Sequence, residues 1–283
     1  MRTARRKVVD VVMRWACGLS TILLAAMLLI ILGLVVREGI HSINLDFFIH
    51  LPTPVGIPGG GMGSAIAGSI LVVALASAMG LPVGIMCGVY LSEYGANKFG
   101  SNLRFLIEVM NGVPTIVAGM IAYALIVVPL HTFSAYAGAV ALAIIMIPLV
   151  SRATELVVRQ VPQTWREASV ALGASPARTI LSVVLPGARA GIITAAMLAI
   201  ARVAGETAPL LFTAFGNDVA WPTHPGSPTA VLPLQVFNYA MSPYDEWKTQ
   251  AWGGALVLVA GVLVLNICVR LFTRADVSLT ERM

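Results

Sequence analysis

Residues 109–151 read VMNGVPTIVAGMIAYALIVVPLHTFSAYAGAVALAIIMIPLVS and contain no aspartate, glutamate, lysine or arginine. An α-helix needs about 20 apolar residues to cross the hydrocarbon core of a membrane. This run of 43 residues is therefore too long for one span and fits two. The turn between them is predicted at residues 129–132 (PLHT), where proline and polar residues interrupt the apolar sequence.

The rest of the chain has the same character. Of its 283 residues, 58% are hydrophobic and 11% are charged, whereas soluble proteins have about 25% charged residues. Such a composition excludes an ordinary soluble domain, which needs a charged surface. The net charge of +5 does not indicate nucleic-acid binding, because the basic residues form no patch with interleaved aromatic residues.

The other uncharged runs predict the remaining spans of an all-α membrane protein with six transmembrane helices. The first predicted helix, 15–36, has 22 residues, more than the roughly 7–15 of a signal-peptide core, so it should be retained. The others are predicted at 64–91, 105–128, 135–152, 187–215 and 249–270. This divides the chain into an N-terminal segment 1–14, the first helix, a transmembrane core 64–272 that includes a polar loop at 152–186, and a tail 273–283.

The distribution of basic residues predicts the orientation. If both termini are cytoplasmic, the cytoplasmic segments hold 15 of the 18 lysines and arginines, and the outer loops hold only Arg37 and Lys248. Cytoplasmic loops carry an excess of basic residues. We therefore expect a multi-pass protein of the plasma (inner) membrane with both termini and the loop 152–186 in the cytoplasm.

Catalytic and metal-binding motifs are missing from the sequence. The three cysteines and four histidines are widely separated, and no H-E-x-x-H pattern occurs, so no metal site and no catalytic residue are predicted. None of the three lysines follows a glycine, which excludes the phosphate-binding loop of an ATPase. We expect a protein that is not itself an enzyme.

The loop 152–186 contains the most specific motif, residues 162–173 (PQTWREASVALG). Thr164 and Glu167 have the spacing of a capping box at a helix start. Gly173 is predicted to end that helix, and Ser175-Pro176 to begin a second one. The pattern indicates a short helix, a sharp turn and another helix, a protrusion that a soluble partner could bind in a groove.

This loop resembles the EAA loop of the permeases of ABC importers. The matching residues are Glu167, Ala168, Ser169 and Gly173, followed at the expected distance by Leu185 and Pro186. Ser169 in place of alanine is the one departure. The resemblance implies a bundle like that of type I importer permeases and a coupling helix that docks into a separate ATPase subunit. The alternative is an ordinary amphipathic helix at the membrane surface.

A second motif lies in the fifth predicted helix, at residues 199–209 (AIARVAGETAP). Arg202 and Glu206 are four residues apart and would share one face of a helix. A charge at the centre of a membrane helix costs about 2.5–3.5 kcal/mol on insertion scales, so such residues usually face a bundle interior or a water-filled path. The pair indicates a transport site, with a purely structural ion pair as the alternative.

The chemistry of this pair favours phosphate as the substrate. A guanidinium group donates two parallel hydrogen bonds to an oxyanion and stays charged at any working pH. Phosphate near neutral pH carries one or two protons and can donate one to Glu206, whereas sulfate carries none and is repelled by the carboxylate. A carboxylate beside an arginine therefore discriminates between these two anions.

Here the resemblance becomes closer, to the phosphate-specific permeases of ABC importers, the PstA type. It is carried by residues 202–213 (RVAGETAPLLFT), 147–155 (IPLVSRATE) and 240–243 (AMSP), and extends from about 58 to 270. In that family, intramembrane arginines and a nearby glutamate are implicated in phosphate passage. The resemblance implies Arg152, Arg202 and Glu206 as pathway residues, although Arg152 could instead be a basic anchor at the end of the fourth helix.

The resemblance also implies the partners. They are a homologous second permease, two copies of an ATP-binding subunit and an extracytoplasmic phosphate-binding protein, with membrane lipid around the complex. ATP and magnesium would act on the partner ATPase, and this chain would bind no cofactor. The expected function is import of inorganic phosphate by alternating access.

Other functions remain as alternatives. An ABC importer permease for sulfate, molybdate or phosphonate would share the EAA loop. A secondary transporter would need its own ion-coupling residues and often inverted repeats, and no repeat is visible. A membrane-embedded enzyme would need a nucleophile–base or metal constellation, and none is present in the sequence.

Overall fold

A computed structural model of the chain describes residues 2–54, 56–57, 59–217 and 219–280. Met1 and residues 281–283, the end of the predicted tail 273–283, lie outside the described residues. Within the described part there is no β-strand. The helices are α1 (Arg2–Gly39), α2 (Leu45–Ile49), α3 (Gly63–Glu93), α4 (Lys98–Gly112), α5 (Thr115–Leu130), α6 (Ala135–Arg159), α7 (Gln163–Ala171), α8 (Pro176–Ala204), α9 (Ala208–Leu211), α10 (Leu232–Ala240) and α11 (Asp245–Thr280).

Five of these helices, α1, α3, α6, α8 and α11, are long and apolar enough to cross a membrane. The pair α4 and α5 adds a sixth candidate if it is counted as one bent span. This confirms the predicted class, an all-α membrane protein with up to six spans. The division into an N-terminal segment, core and tail stays a prediction.

The third predicted span is not one helix. α4 and α5 meet at an angle of 103°, so the prediction of a single helix over 105–128 is wrong. Pro114 explains the break, because proline has no N–H to donate and disfavours helical geometry in the residue before it. Val113 accordingly is extended, with φ −71° and ψ 129°.

Small residues let α3 and α6 pack side by side in parallel. Gly80, Gly84 and Gly88 recur every fourth residue of α3 and face Met146, Val150 and Thr154 of α6 in the same order. A Cβ atom on Gly88 would lie 2.6 Å from the Thr154 Cβ atom. Close backbone approach at small residues is the usual way in which membrane helices associate. Buried residues of both helices share the largest part of the hydrophobic core.

α8 lies antiparallel to α6, because Gly191 packs on Val157 and Leu210, just after α8, packs on Gly138. It begins at Pro176 and ends at Ala204, eleven residues earlier at both ends than the predicted span 187–215. A helix that continued through Pro209 would lose a backbone hydrogen bond and clash with the preceding turn. The chain therefore leaves the helix at Gly205 and restarts as the short α9.

α1 lies at the periphery of the bundle. Most of its side chains are exposed, and its end packs on α11, where Gly39 abuts Trp252 and Leu256. An exposed apolar helix of this length is suited to contact lipid. The predicted first span, 15–36, lies within it.

Candidate functional site

A pocket of about 130 Å³ lies between the bent pair α4–α5 and helix α6. The bend and α5 line one side of it, three aliphatic side chains of α6 line the other, and Arg202 provides the one charged side chain. The lining residues are Met110, Asn111, Val113, Thr115, Ala118, Ile121, Ile144, Ile145, Leu149 and Arg202. An apolar pocket with a few polar groups is the usual form of a ligand site.

Arg202 lies near mid-depth of the bundle, although it is in the last turn of α8. The antiparallel packing places it level with the middle of α6, and the pocket contains it together with Ile144 and Ile145. The break after α8 also touches the other broken helix, because Gly119 of α5 abuts Pro209. Two interrupted helices therefore meet at the pocket. Irregular backbone at membrane depth is tolerated where it is buried in protein or lines a cavity.

Glu206 is not on the helix that carries Arg202. α8 ends at Ala204, and Glu206 follows in the non-helical turn before α9, so the prediction that the two side chains share a helix face is wrong. Among the residues that the structure describes, no ion pair joins them, and Glu206 does not line the pocket. Pro209 again supplies the reason, because it prevents the helix from reaching Glu206.

Arg152 lies on the same face of α6 as the pocket. It follows Ile145 by seven residues and Leu149 by three, which places all three on one stripe of the helix. Its guanidinium does not line the pocket. Its Nη1 donates a hydrogen bond of 3.2 Å to Glu155 Oε2. The three predicted pathway residues therefore lie in different places. Arg202 lines the pocket, Glu206 lies in the turn after α8, and Arg152 lies on α6 beyond the pocket.

Glu155 is the centre of a cluster of ion pairs that was not predicted from the sequence. Its side chain is 1% exposed and forms ion pairs with Arg104, Arg152 and Arg159 at 2.8, 3.2 and 2.7 Å. Arg152 and Arg159 stand three residues before and four after Glu155, a helical spacing visible in the sequence. Arg104 comes from α4 and is 51 residues away, which no local pattern could indicate.

The helix–turn–helix of the polar loop forms at Gly173 as predicted. Gly173 has φ +86°, and the N–H groups of Gly173 and Ala174 donate to the carbonyls of Val170 and Ser169. This is the Schellman arrangement, in which glycine adopts the left-handed conformation at little cost. Ser175 then accepts a hydrogen bond from the N–H of Arg178, and Pro176 begins α8.

The capping box predicted for this helix is wrong. α7 begins after Pro162, and no side chain caps it, because the proline starts the helix before Thr164 can act as its cap. Glu167 and Ala168 are exposed instead. Ser169, the departure from the EAA pattern, shares a hydrogen bond of 2.9 Å with the Thr179 hydroxyl, which joins α7 to the start of α8.

Arg166 attaches α7 to the transmembrane helices. Its guanidinium forms a two-point contact with Glu93 at the end of α3, with Nη2–Oε1 2.7 Å and Nε–Oε2 3.3 Å. It also donates to the carbonyls of Val158 and Val161. The side chains of Arg166 and Glu93 are only 16% and 11% exposed. No local sequence pattern indicates this pair, because its members are 73 residues apart.

The described residues contain no group of three or more His, Cys, Asp or Glu side chains that could hold a metal ion. The features above define a multi-pass membrane protein that has a pocket lined by one cationic side chain and an exposed helix at one end, the organisation of a transport subunit. The chain belongs to the family of binding-protein-dependent transport system inner membrane components, which it matches over residues 80–275.

Curated relatives carry more specific names. The chain is 42% identical to a phosphate transport system permease protein PstA of Yersinia pestis over 236 residues, covering 83% of this chain and 80% of that one. It is 36% identical to a probable PstA of Methanocaldococcus jannaschii over 220 residues, covering 78% of each. Among solved structures, an inward-facing MetNI methionine ABC transporter has a similar fold, with a TM-score of 0.62, 20% identity, and coverage of 76% of this chain and 97% of that one.

Proposed function

We propose that this chain is the transmembrane permease subunit of an ATP-driven importer that carries inorganic phosphate into the cytoplasm by alternating access. The relatives named as phosphate permeases support the choice of substrate. The structural observation that carries the proposal is the single guanidinium of Arg202 in a pocket at mid-depth, where two interrupted helices meet. The residue Arg202 is exposed rather than buried, so an oxyanion can reach its guanidinium group, which donates charge-assisted hydrogen bonds to such anions.

Arg202, Arg152 and Glu206 are the proposed pathway residues. Arg202 would bind phosphate in the pocket, and Arg152, on the same stripe of α6, would attract it towards the far end of that helix. Glu206 is partly exposed in the turn after α8. It would accept a hydrogen bond from protonated phosphate as the anion approaches, and would repel sulfate.

The loop 152–186 is proposed to couple the bundle to an ATPase. No residue of α7 is buried, and Leu172 is 90% exposed at its end. An apolar protrusion of this kind is suited to a hydrophobic groove on a partner. Glu167, Ala168, Ser169 and Gly173 would form the docking surface, and Leu185 and Pro186 would lie where α8 continues into the bundle.

The proposed assembly follows from the family. It contains a homologous second permease, two copies of an ATP-binding subunit that hold ATP and magnesium, and an extracytoplasmic phosphate-binding protein. The name of the family, binding-protein-dependent transport, supports the last of these. This chain would bind no cofactor.

Uptake into proteoliposomes tests the proposed function. The chain, reconstituted with its partner subunits and binding protein, should take up labelled phosphate only when ATP is supplied to the ATPase side. Unlabelled phosphate should compete, whereas sulfate and molybdate in the same excess should not. If sulfate or molybdate blocks the uptake and unlabelled phosphate does not, the importer is assigned to that oxyanion. Uptake without ATP would indicate a secondary transporter.

The orientation is a second expectation, supported by the 15-to-2 distribution of basic residues. The loop 152–186 and both termini, segments 1–14 and 273–283, should be cytoplasmic. In a cysteine-free background, a cysteine at position 169 should react with an impermeant thiol reagent only after the membrane is opened. A cysteine at position 57, in the predicted outer loop, is the matched control and should react in intact cells. Reaction of position 169 from outside would contradict the orientation.

A further inference from the structure

The cluster around Glu155 holds more positive charge than the structure of the chain needs. One buried carboxylate requires one cation to neutralise it. Arg104 already supplies that cation and uses its other donors on the carbonyls of Gly95 and Leu91. Arg152 and Arg159 then add two further charges at the same carboxylate. Like charges held this close repel each other, which raises the affinity of the cluster for another anion.

Arg152 and Arg159 also have donors to spare. Each guanidinium has five N–H groups, and in the described part of the chain each makes its one ion pair with Glu155. Their side chains are 55% and 52% exposed, so the remaining N–H groups can reach a ligand from solution. Arg104, at 31%, is the least exposed of the three. It acts as a positioning residue that fixes the carboxylate.

Glu155 brings the two exposed guanidinium groups together. Arg152 approaches Oε2 and Arg159 approaches Oε1, so their separation is limited to the two ion-pair distances and the width of one carboxylate group. A tetrahedral dianion has oxygens on several sides and can accept from both arginines at once.

The cluster lies between the pocket and the end of α6. Arg152 continues the stripe of Ile145 and Leu149 that lines the pocket, and Arg159, seven residues further on, is the last residue of the helix. In the proposed orientation this end is cytoplasmic. An anion that leaves Arg202 in this direction meets Arg152 first and Arg159 last.

We propose that Arg152 and Arg159, oriented by Glu155, form a second, inward-facing site for a tetrahedral oxyanion, at which transported phosphate is held before release into the cytoplasm. The proposal rests on the proposed function. It has a consequence for the product side: phosphate already in the cytoplasm can occupy this site and slow further import. The same chemistry would also bind the phosphate of an anionic lipid headgroup, so the experiment must separate these two sources.

The test measures inhibition by product. Proteoliposomes that contain the whole complex, with the ATPase side facing the lumen, are loaded with ATP and graded inorganic phosphate, and the initial uptake of labelled phosphate is recorded per assembled complex. Luminal phosphate should inhibit the wild type. In Arg159→Gln the half-inhibitory concentration should rise by about fivefold or more, because charge-assisted hydrogen bonds to the anion are lost. Arg159→Lys, which keeps the charge but not the planar group, should fall in between.

Lys98→Gln is the matched control, because Lys98 is an exposed cation of the same predicted cytoplasmic side and lies outside the cluster. It should keep the wild-type half-inhibitory concentration. ATP hydrolysis is measured in parallel. Direct inhibition of the ATPase subunit by phosphate would be equal in all variants, which distinguishes it from binding at the cluster. A purely structural role for Arg159 would reduce the amount of assembled complex without moving the half-inhibitory concentration.

Two results would overturn the inner site: no inhibition of the wild type by luminal phosphate, or the same half-inhibitory concentration in wild type and Arg159→Gln. A change that appears only in vesicles with phosphatidylglycerol, and not in pure phosphatidylcholine, would assign the cluster to lipid headgroups and also overturn it. If no preparation takes up phosphate with ATP, the proposed function itself fails, which is a different outcome.

Discussion

Replacing Arg202 with lysine is expected to reduce ATP-driven phosphate uptake per assembled complex by about tenfold or more. The substitution keeps the positive charge at mid-depth but removes the planar group that can donate two parallel hydrogen bonds to one anion. A loss of about 1.4 kcal/mol in binding the anion corresponds to a factor of ten. Initial uptake, normalised to the amount of purified complex, measures the effect. Because Arg202 makes no ion pair within the described part of the chain, assembly should be normal.

Arg37→Lys is the matched control for this experiment. Arg37 is 78% exposed at the end of α1, where it contacts Glu38 at 3.6 Å, and it lies outside the pocket. Its replacement should leave uptake unchanged. Normal uptake per complex in Arg202→Lys would remove Arg202 from the phosphate pathway, and a loss of assembly without a loss of uptake per complex would make it a structural residue.

Features that depend on neighbouring residues were predictable from the sequence. Long runs without charge indicated the membrane spans, because a charged side chain is costly anywhere in the hydrocarbon core. The turn at Gly173 and the helix start at Ser175-Pro176 were also predicted correctly, because both depend only on the conformations available to a few neighbouring residues.

The two breaks in the helices were not predicted, although their causes are in the sequence. Pro114 and Pro209 stand within apolar runs that otherwise suit a helix. Membrane helices often tolerate proline, because neighbouring groups satisfy the freed carbonyl. Hydropathy therefore could not show that these two prolines end their helices. For this reason Glu206 was wrongly predicted to lie on the same helix as Arg202.

The ion pairs that hold the elements together could not be derived from one sequence. The partners are far apart along the chain, 51 residues for Arg104 and Glu155 and 73 residues for Glu93 and Arg166. Only the packing of the bundle brings them together. The spacing of Arg152, Glu155 and Arg159 was visible, but it indicated only a pattern on one helix. That Glu155 is buried, and thus able to orient two arginines, depends on the close packing of α3 and α6.

Removing the contact between Arg166 and Glu93 is expected to disconnect α7 from the transmembrane helices. In Arg166→Gln, Glu93 is left as an unpaired, largely buried carboxylate, and breaking a buried pair in this way costs about 3–5 kcal/mol. The carbonyls of Val158 and Val161 also lose their donor. We expect a lower yield of complex and, in the complex that assembles, phosphate uptake reduced by about tenfold, since this loss of anchoring would let α7 move without the bundle.

The double variant Glu93→Gln with Arg166→Gln separates stability from coupling. It removes both charges, so no unpaired buried charge remains, and replacing both members of a buried pair is often nearly neutral for stability. The yield of complex should therefore recover, whereas uptake, and the stimulation of ATP hydrolysis by the phosphate-loaded binding protein, should stay low. The paired control is Asp245→Asn with Lys248→Gln, an exposed pair at 3.0 Å at the start of α11, which should change neither quantity. If the double variant regains full uptake together with its yield, the contact only neutralises a buried charge, and the force from α7 must reach the bundle by another route, such as the hydrogen bond between Ser169 and Thr179.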